Sequence, residues 1–343
     1  MRILIVGSDN EFAIETYYYH ALIHNPNVGF IQFFPSKSLF YKYYHQSVFH
    51  KILFKLGVSR ILKSINSDLK LTIDKVQPDI VLVFKGMEIF PTTLQWIKSK
   101  SIKLVNYNSD SPFLFSGVGS GNRNIKKSFK LYDLFITYDS FISDQSIREF
   151  QVNSAVLPFG YYWKESLDIT TSTFKEMNKL CFIGNEEKSR IHFINQLAAQ
   201  GIPIDVYGHW KKKNLHKNIN YLGYLPNQSL SKVLPLYRIQ LNLLRAHNIH
   251  SHNMRSFEIP SSGGIQLVNE TDDHLRFFKK GLEVFTFTSF EECVSTINYL
   301  MSITSEEANA IRRASIEKCK SKGYSYAERA TQLYSMLKTV LTQ

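Results

Sequence analysis

Three side chains suited to binding a phosphorylated sugar lie within six residues of one another, at Asn253, Arg255 and Glu258. An amide can bond a phosphate oxygen, an arginine can pair bidentately with a diphosphate, and a glutamate offers two acceptors to a vicinal diol such as a ribose. Gly263 and Gly264 follow, and glycines there allow the backbone to end a short helix and turn into a buried strand. The same spacing would also form an ordinary i,i+3 helix pair between the arginine and the glutamate.

The loop at residues 184–187 is a second place where the sequence could bind an anion. It follows a predicted strand at 179–183 and precedes a helix, so its backbone N–H groups would lie at a helix N-terminus. Arg190 could direct its guanidinium toward the same site, or it could balance Glu186 at the surface. The residues of this half predicted to contact the phosphorylated sugar ligand are Gly184, Asn185, Arg190, Tyr207, His252, Asn253, Arg255, Ser256 and Glu258.

The order and spacing of these motifs resemble a known family. The pattern N-x-R-x-F-E-x-P-x-x-G-G at 253–264 is preceded by FIGN at 182–185 and followed by FKKGLEVF at 278–285. With YNSDSPF and LPFG in the first half, these residues resemble the CgeB-like glycosyltransferases of the spore maturation protein type over residues 106–329. The resemblance implies a GT-B fold, in which two Rossmann-like, doubly wound α/β domains face each other across a cleft. It also implies a transferase whose nucleotide-sugar donor is held mainly by the C-terminal domain.

Such an enzyme would need groups for two tasks. It must stabilise the negative charge that grows on the departing diphosphate, and it must help the acceptor to lose a proton. GT-B enzymes generally do the first with arginines, amides and helix N-termini. The resemblance therefore implies a nucleotide-diphosphate sugar as substrate, with UDP slightly favoured, and neither a metal ion nor a cofactor.

Asp110 is the candidate base, because it follows a predicted strand at 103–106 and resembles the family's D-x-P turn. An aspartate before Ser-Pro also commonly caps a turn. The acceptor side or cleft is predicted to include Gly7, Ser8, Lys85, Glu88, Asn108 and Gly160.

His250 is the second catalytic candidate. GT-B enzymes that retain the anomeric configuration often carry two glutamates separated by seven residues, and counting back from Glu258 gives a histidine. The stereochemistry therefore stays open. His250 could donate to a phosphate or to the sugar, or it could belong to a polar loop with His252.

Composition describes a globular protein with a positive charge. The 343 residues suit two domains, and the formal net charge of +12 is compatible with phosphorylated donors, an anionic membrane or nucleic acid. Three cysteines without metal-ligand spacing indicate reduced thiols. The N-terminus lacks the pattern of a signal peptide, and no apolar stretch reaches the length of about 18 residues that spans a bilayer, so we expect a cytoplasmic protein.

Short apolar strands alternate with longer helical segments, which is the pattern of parallel sheets covered by helices. Strands are predicted at 2–6, 30–34, 80–84, 103–106, 134–137, 155–157, 179–183, 204–207, 219–221, 239–244, 265–268 and 284–287, and one helix is predicted over 48–75. A polar stretch at 164–178 indicates a linker. We expect an acceptor domain at 1–160, a donor domain at 161–325, and a final helix at 326–343 that can pack back on the first domain.

Aromatic and basic residues are concentrated in the first hundred positions. The segment 38–56 is basic and amphipathic, so it could contact the inner face of an anionic membrane that carries a lipid-linked acceptor. Two other classes of function stay open. A nucleotide-sugar epimerase would form product without an acceptor, and a nucleic-acid-binding protein would fit the charge, although no stacking motif or dense basic face supports it.

Overall fold

The computed structural model describes residues 1–55, 59–113, 121–163, 176–245 and 248–343. The chain divides into two units, Met1–Pro158 together with Tyr326–Gln343, and Phe159–Ser325. Each unit has one six-stranded sheet in which every neighbouring pair of strands is parallel. The predicted α/β class with two doubly wound sheets is therefore confirmed. The predicted linker at 164–178 lies largely outside the described residues.

The first unit has the strand order β2-β1-β3-β4-β5-β6. Its strands are β1 (Arg2–Val6), β2 (Phe30–Phe34), β3 (Ile80–Phe84), β4 (Lys103–Asn108), β5 (Leu134–Thr137) and β6 (Ser154–Val156). Its helices are α1 (Ile14–Ile23), α2 (Ser36–Tyr44), α3 (Val48–Lys55), α4 (Arg60–Val76), α5 (Pro91–Ser99), α6 (Arg123–Ser128) and α7 (Ser140–Phe150).

The second unit has the strand order β12-β11-β10-β7-β8-β9. Its strands are β7 (Met177–Ile183), β8 (Ile204–Tyr207), β9 (Ile219–Gly223), β10 (Tyr237–Asn242), β11 (Gln266–Asn269) and β12 (Phe285–Phe287). Its helices are α8 (Lys188–Ala199), α9 (Leu230–Val233), α10 (Arg255–Ser261), α11 (Asp272–Phe277), α12 (Phe290–Ser302) and α13 (Ser305–Ser321).

The last helix, α14 (Tyr326–Thr342), belongs to the first unit. The ring of Tyr326 lies 5.1 Å from that of Tyr17 and 5.4 Å from that of Tyr18, both on α1. Farther along the helix, Tyr334 donates to the backbone carbonyl of Asn27 at 3.4 Å. The chain thus returns to the first sheet after the second unit is complete.

One predicted helix is wrong. The expected single helix at 48–75 is two helices, α3 and α4, and α2 precedes them. Ser59, at the N-cap position of α4, has an extended backbone with φ −65° and ψ 110°, so no helix continues through it.

The two faces of the second sheet differ in chemistry. Leu180, Phe182 and Ile239 point to an apolar core shared with α8 and α12. On the other face, the parallel register places Cys181 beside Asp205 and Gln240, and all three are buried. A polar sheet face needs hydrogen-bond partners. Asp205 accepts bonds from Lys179, Asn220 and Tyr237, and Gln240 donates to the carbonyls of Leu234 and Tyr237.

Candidate functional site

The direction of strand succession changes between β7 and β10 in the second sheet. From β7 the chain builds outward to β9, and from β10 it builds outward to β12. Ligands of open α/β sheets bind at the carboxyl ends of the strands beside such a switch point. The predicted donor residues after β7 and β10 therefore lie where this topology favours a ligand.

The loop after β7 is held tightly against the loop after β8. Gly184 donates its backbone N–H to Tyr207 at 3.0 Å, and its carbonyl accepts a bond from the indole of Trp210 at 2.7 Å. Gly208 has φ +127°, and a side chain there would overlap the Gly184 carbonyl. Asn185 is exposed, and its side-chain oxygen accepts the N–H of His209 at 3.1 Å. These bonds fix the backbone on one side of the switch point.

Arg190 joins the two sides of the switch point. Its guanidinium donates to the carbonyl of Leu243 at 2.7 Å and to the carbonyl of Asn185 at 3.2 Å. Burial lowers the pKa of Arg190 to about 10; Glu187 opposes this effect, whereas Arg245 and Arg255 add to it. Arg190 is still charged at neutral pH.

Arg255 and Glu258 form an ion pair with each other on the first turn of α10. The arginine side chain is 24% exposed and that of the glutamate 8%. The local helix pair expected as one of two interpretations is thus present. Arg255 has five N–H donors, of which this bond uses one, and its Nε has no hydrogen-bond partner among the described residues.

The side chain of Asn253 is engaged with protein groups. Its oxygen accepts the backbone N–H of Ser256 at 3.1 Å, and its nitrogen donates to Asn242 at 2.8 Å. Ser256 is completely buried and bonds Nε2 of His274 at 2.8 Å. Asn253 and Ser256, both predicted to contact the nucleotide-sugar donor, thus bond to protein groups at the start of α10. A direct contact with the donor would require these bonds to change.

His252 is completely buried in the same loop. Its Nδ1 lies 2.7 Å from the carboxylate of Asp273, which also accepts the hydroxyl of Ser251 at 2.5 Å. Its Nε2 accepts the backbone N–H of Phe159 at 3.2 Å. Both nitrogens therefore have protein partners, and the predicted contact of His252 with a donor stays a prediction.

The pKa values of Asp273 and His274 in this network both lie below their ordinary values. Burial would raise the pKa of Asp273, but the bonds from His252 and Ser251 and the charge of Arg276 together hold it below its ordinary value. Burial lowers the pKa of His274 to about 3, against the raising effect of Asp273. His274 is consequently neutral at physiological pH.

Three further predicted residues, Tyr207, His250 and Gly160, belong to the second unit. Tyr207 ends β8, and its hydroxyl lies 3.0 Å from that of Tyr237, which donates to Asp205 at 2.9 Å. Burial raises the pKa of Tyr207. His250 lies in an exposed turn, and Gly160 is buried in the second unit.

The first unit has its own switch point between β1 and β3. Ser8, after β1, donates its backbone N–H to the buried carboxylate of Glu15 at 3.3 Å, and a side chain at Gly7 would overlap that glutamate. Lys85, after β3, adopts φ +61° and forms an ion pair with Asp110 after β4. Because β1, β3 and β4 are parallel, Ser8, Lys85 and Asp110 lie at the same edge of the first sheet, where the strands have their carboxyl ends.

Two further candidates are buried beside this edge. Asn108 is completely buried, its side-chain oxygen accepts the N–H of Asp110 at 3.1 Å, and its Nδ2 has no partner among the described residues. Burial raises the pKa of Glu88, against the lowering effects of Lys37 and Lys85. A carboxyl group whose pKa is raised is better matched to proton transfer near neutral pH.

Sequence reasoning missed several residues of the second unit. Arg245 pairs with Glu187 at 2.8 Å beside Arg190, and Asn242, Asp273 and His274 hold the loop before α10. A polar residue at the end of an apolar strand, as at Asn242, was the available signal.

No helix in the described parts of the chain combines the length and apolarity needed to cross a membrane.

The two parallel six-stranded sheets with their switch points define a GT-B fold. The protein resembles, across nearly its whole length, a glycosyltransferase from Rickettsia africae ESF-5, with a TM-score of 0.66, 12% identity, and coverage of 99% of this chain and 98% of that one. Anabaena HepE in complex with UDP and glucose gives a TM-score of 0.65 and 13% identity, with coverage of 98% and 99%. The UDP-GlcNAc 2-epimerase of Neisseria meningitidis, bound to UDP-GlcNAc, gives 0.61 and 14%, with coverage of 99% and 100%.

Residues 190–335 match the family model described as glycosyl transferase-like. The match begins at Arg190 and includes α10 with its Arg255–Glu258 pair. Among curated proteins, the ribosomal RNA small subunit methyltransferase H of Karelsulcia muelleri (strain GWSS) is 26% identical over 154 residues. That alignment covers 42% of this chain and 51% of the methyltransferase, so this chain spans about half the length of that relative.

Proposed function

We propose that this protein is a glycosyltransferase that moves a sugar from a nucleotide-diphosphate donor to an acceptor hydroxyl. The observation that carries the proposal is that Arg190 bonds the loops after β7 and β10 across the switch point of the second sheet, with Arg245 paired to Glu187 and the partly exposed Arg255 at the start of α10. Cations with fixed geometry stabilise the charge that develops on a departing diphosphate. The glycosyl transferase-like match over residues 190–335 supports the same function.

The second unit would hold the donor. Arg255 keeps N–H donors that its bond to Glu258 does not use, and its side chain is partly exposed. A diphosphate could therefore bind beside the ion pair. Glu258 would accept the ribose hydroxyls if the pair opens, while Arg190 would hold the two strand-end loops in place and add positive charge.

The first unit would bind the acceptor, with Asp110 as the base. Lys85 pairs with Asp110 and would orient its carboxylate toward the acceptor hydroxyl. Glu88, a buried carboxyl at the same edge, is the alternative base. Because arginines would neutralise the diphosphate, the reaction would need no metal ion, and activity should persist in EDTA.

We further propose that the enzyme belongs to the CgeB-like group and builds a surface polysaccharide, glycolipid or glycoprotein. The motif at 253–264 supports this finer assignment. A cytoplasmic location follows from the use of nucleotide sugars. UDP is the favoured nucleotide, since HepE, one of the proteins of similar fold, is in complex with UDP and glucose.

A nucleotide-sugar epimerase is the second candidate, because the Neisseria epimerase has the same fold over the whole chain. The two functions differ in their products. A transferase releases nucleotide diphosphate and needs an acceptor, whereas an epimerase changes the sugar's configuration without an acceptor.

The deciding experiment incubates the protein with UDP-, GDP- and dTDP-sugars in EDTA, with and without a detergent extract of bacterial envelope glycans and lipids. Nucleotide release that requires the extract is expected. A changed proton spectrum of the sugar nucleotide without extract would establish the epimerase instead. Binding of S-adenosylmethionine with no response to any sugar nucleotide would contradict both functions and favour a methyltransferase.

A further inference from the structure

Helices α2 and α3 expose a group of large apolar side chains that the proposed chemistry does not use. Val48 is 72% exposed and Phe49 64%, and Tyr41, Tyr43 and Ile52 are also exposed. Single exposed apolar residues are ordinary on a soluble protein, but here five lie on two consecutive short helices. We call these five residues the aromatic surface.

The charge around the aromatic surface is entirely positive in sequence. Residues 36–55 include four lysines and no aspartate or glutamate. Lys42 is exposed on α2, and Lys51 on α3 lies over the ring of Tyr44 at 5.7 Å. Apolar and aromatic side chains interleaved with lysines are the chemistry that anionic lipid headgroups and the adjoining acyl chains bind.

Helix α2, which carries part of the aromatic surface, begins at the edge of the first sheet where the strands have their carboxyl ends. Helix α2 follows directly after β2, whose carboxyl end lies at the same edge as that of β1 because the strands are parallel. Lys37 donates its backbone N–H to Gly7 at 3.1 Å, and the hydroxyls of Ser8 and Ser38 are 3.5 Å apart. The first turn of α2 is therefore bonded to the loop that we assign to the acceptor side.

We propose that α2 and α3 dock this protein on an anionic membrane and thereby bring a lipid-linked acceptor to the edge of the first sheet. The occupant is a lipid bilayer, because the surface offers exposed apolar side chains beside Lys42 and Lys51. The identity of the acceptor rests on the proposed function, whereas the docking itself does not. Docking would concentrate the enzyme where a lipid-linked hydroxyl is available.

Co-sedimentation with vesicles tests the docking. Vesicles with one-third phosphatidylglycerol should bind the protein at low salt, and pure phosphatidylcholine should bind it at least tenfold more weakly. Phe49→Ser with Ile52→Ser should lower the partition coefficient on anionic vesicles about tenfold or more. The matched control is Phe141→Ser with Leu71→Ser, since both residues are exposed on other helices of the same unit.

Charge is tested separately. Lys42→Glu with Lys51→Glu should reduce binding about tenfold or more, because each lysine contributes to attraction at an anionic surface. Lys63→Glu, exposed on α4, should change it much less. No binding to anionic vesicles, or equal loss in the control variants, would overturn the proposal.

A second copy of the chain is the competing occupant. Sedimentation velocity should show the same mass for the native protein and for the Phe49→Ser, Ile52→Ser variant. A dimer that this variant dissociates would contradict membrane docking. Nucleotide binding should be unchanged in the surface variants. If the native protein binds vesicles but no nucleotide, the proposed function is refuted and the docking surface is retained.

Discussion

His252 connects the carboxylate of Asp273 with the backbone at the start of the second unit. Its Nδ1 lies 2.7 Å from that carboxylate, and its Nε2 accepts the N–H of Phe159 at 3.2 Å. Because Nε2 accepts a bond, the proton of the neutral ring is on Nδ1 and is donated to Asp273. The loop that leads to Arg255 is thereby tied to two distant parts of the same unit.

Replacing His252 should destabilise the fold. His252→Gln would leave a buried carboxylate and a buried N–H without this partner, and we expect a loss of about 2–4 kcal/mol in the free energy of unfolding. Urea denaturation at pH 7 measures it. His192→Gln, at an exposed position on α8, should cost less than about 0.5 kcal/mol. Equal stability of both variants would show that the His252 bonds contribute little.

The neutral state of His274 should make stability depend on pH. Its pKa of about 3 in the folded protein lies below the ordinary value of 6.5, so the unfolded chain binds a proton first as the pH falls. The contribution of neutral His274 to the free energy of unfolding is therefore complete above pH 6.5. Below pH 6.5 it is lost by up to about 1.4 kcal/mol per pH unit.

Urea denaturation at pH 7, 6 and 5 tests this dependence by comparing the native protein with His274→Asn. The native protein should lose stability more steeply, and the difference between the two slopes isolates His274 from the other histidines. An imidazole resonance of His274 that titrates near pH 6.5 in the folded state would refute the prediction.

Two glycines at the ends of the neighbouring strands β8 and β9 should respond differently to replacement by alanine. Gly208 and Gly223 both have positive φ, but a side chain at Gly208 would overlap the carbonyl of Gly184, whereas nothing lies within 4 Å at Gly223. Gly208→Ala should cost more than about 3 kcal/mol and weaken nucleotide binding. Gly223→Ala should cost only the backbone strain, about 1–2 kcal/mol. Similar stability losses would contradict the close packing of the two loops.

Asp110→Asn tests the proposed base. Turnover should fall about 100-fold or more, since a general base commonly contributes that much. The dissociation constant of the nucleotide should stay the same, because Asp110 belongs to the first unit. Asp144→Asn, exposed on α7, serves as the control. Normal turnover of Asp110→Asn would redirect the role to Glu88.

The fold was largely accessible from the sequence because local signals were strong. Apolar runs such as Ile80–Phe84 form buried strands where predicted. Gly263 has φ +80°, which confirms the turn expected between α10 and β11. The separation of α3 from α4 was missed because apolar residues recur at helical spacing in the sequence of both helices.

The candidate site was less accessible because its bonds join residues distant in sequence. Spacing placed Asn253 and His252 beside Arg255, but their partners Asn242 and Asp273 lie 11 and 21 positions away. Spacing alone also left two interpretations of Arg255 and Glu258. The ion pair is present. Binding of the nucleotide-sugar donor by the same two residues stays a prediction.

Calorimetric titration with UDP, GDP and dTDP in EDTA tests the central claim most directly. One nucleotide should bind, and Arg255→Ala should weaken it about 10- to 100-fold, as expected for a lost charge-assisted bond. Arg313→Ala, exposed on α13, should bind like the native protein. No binding of any nucleotide, or unchanged binding by Arg255→Ala, would contradict the assignment of the donor site to the switch point of the second unit.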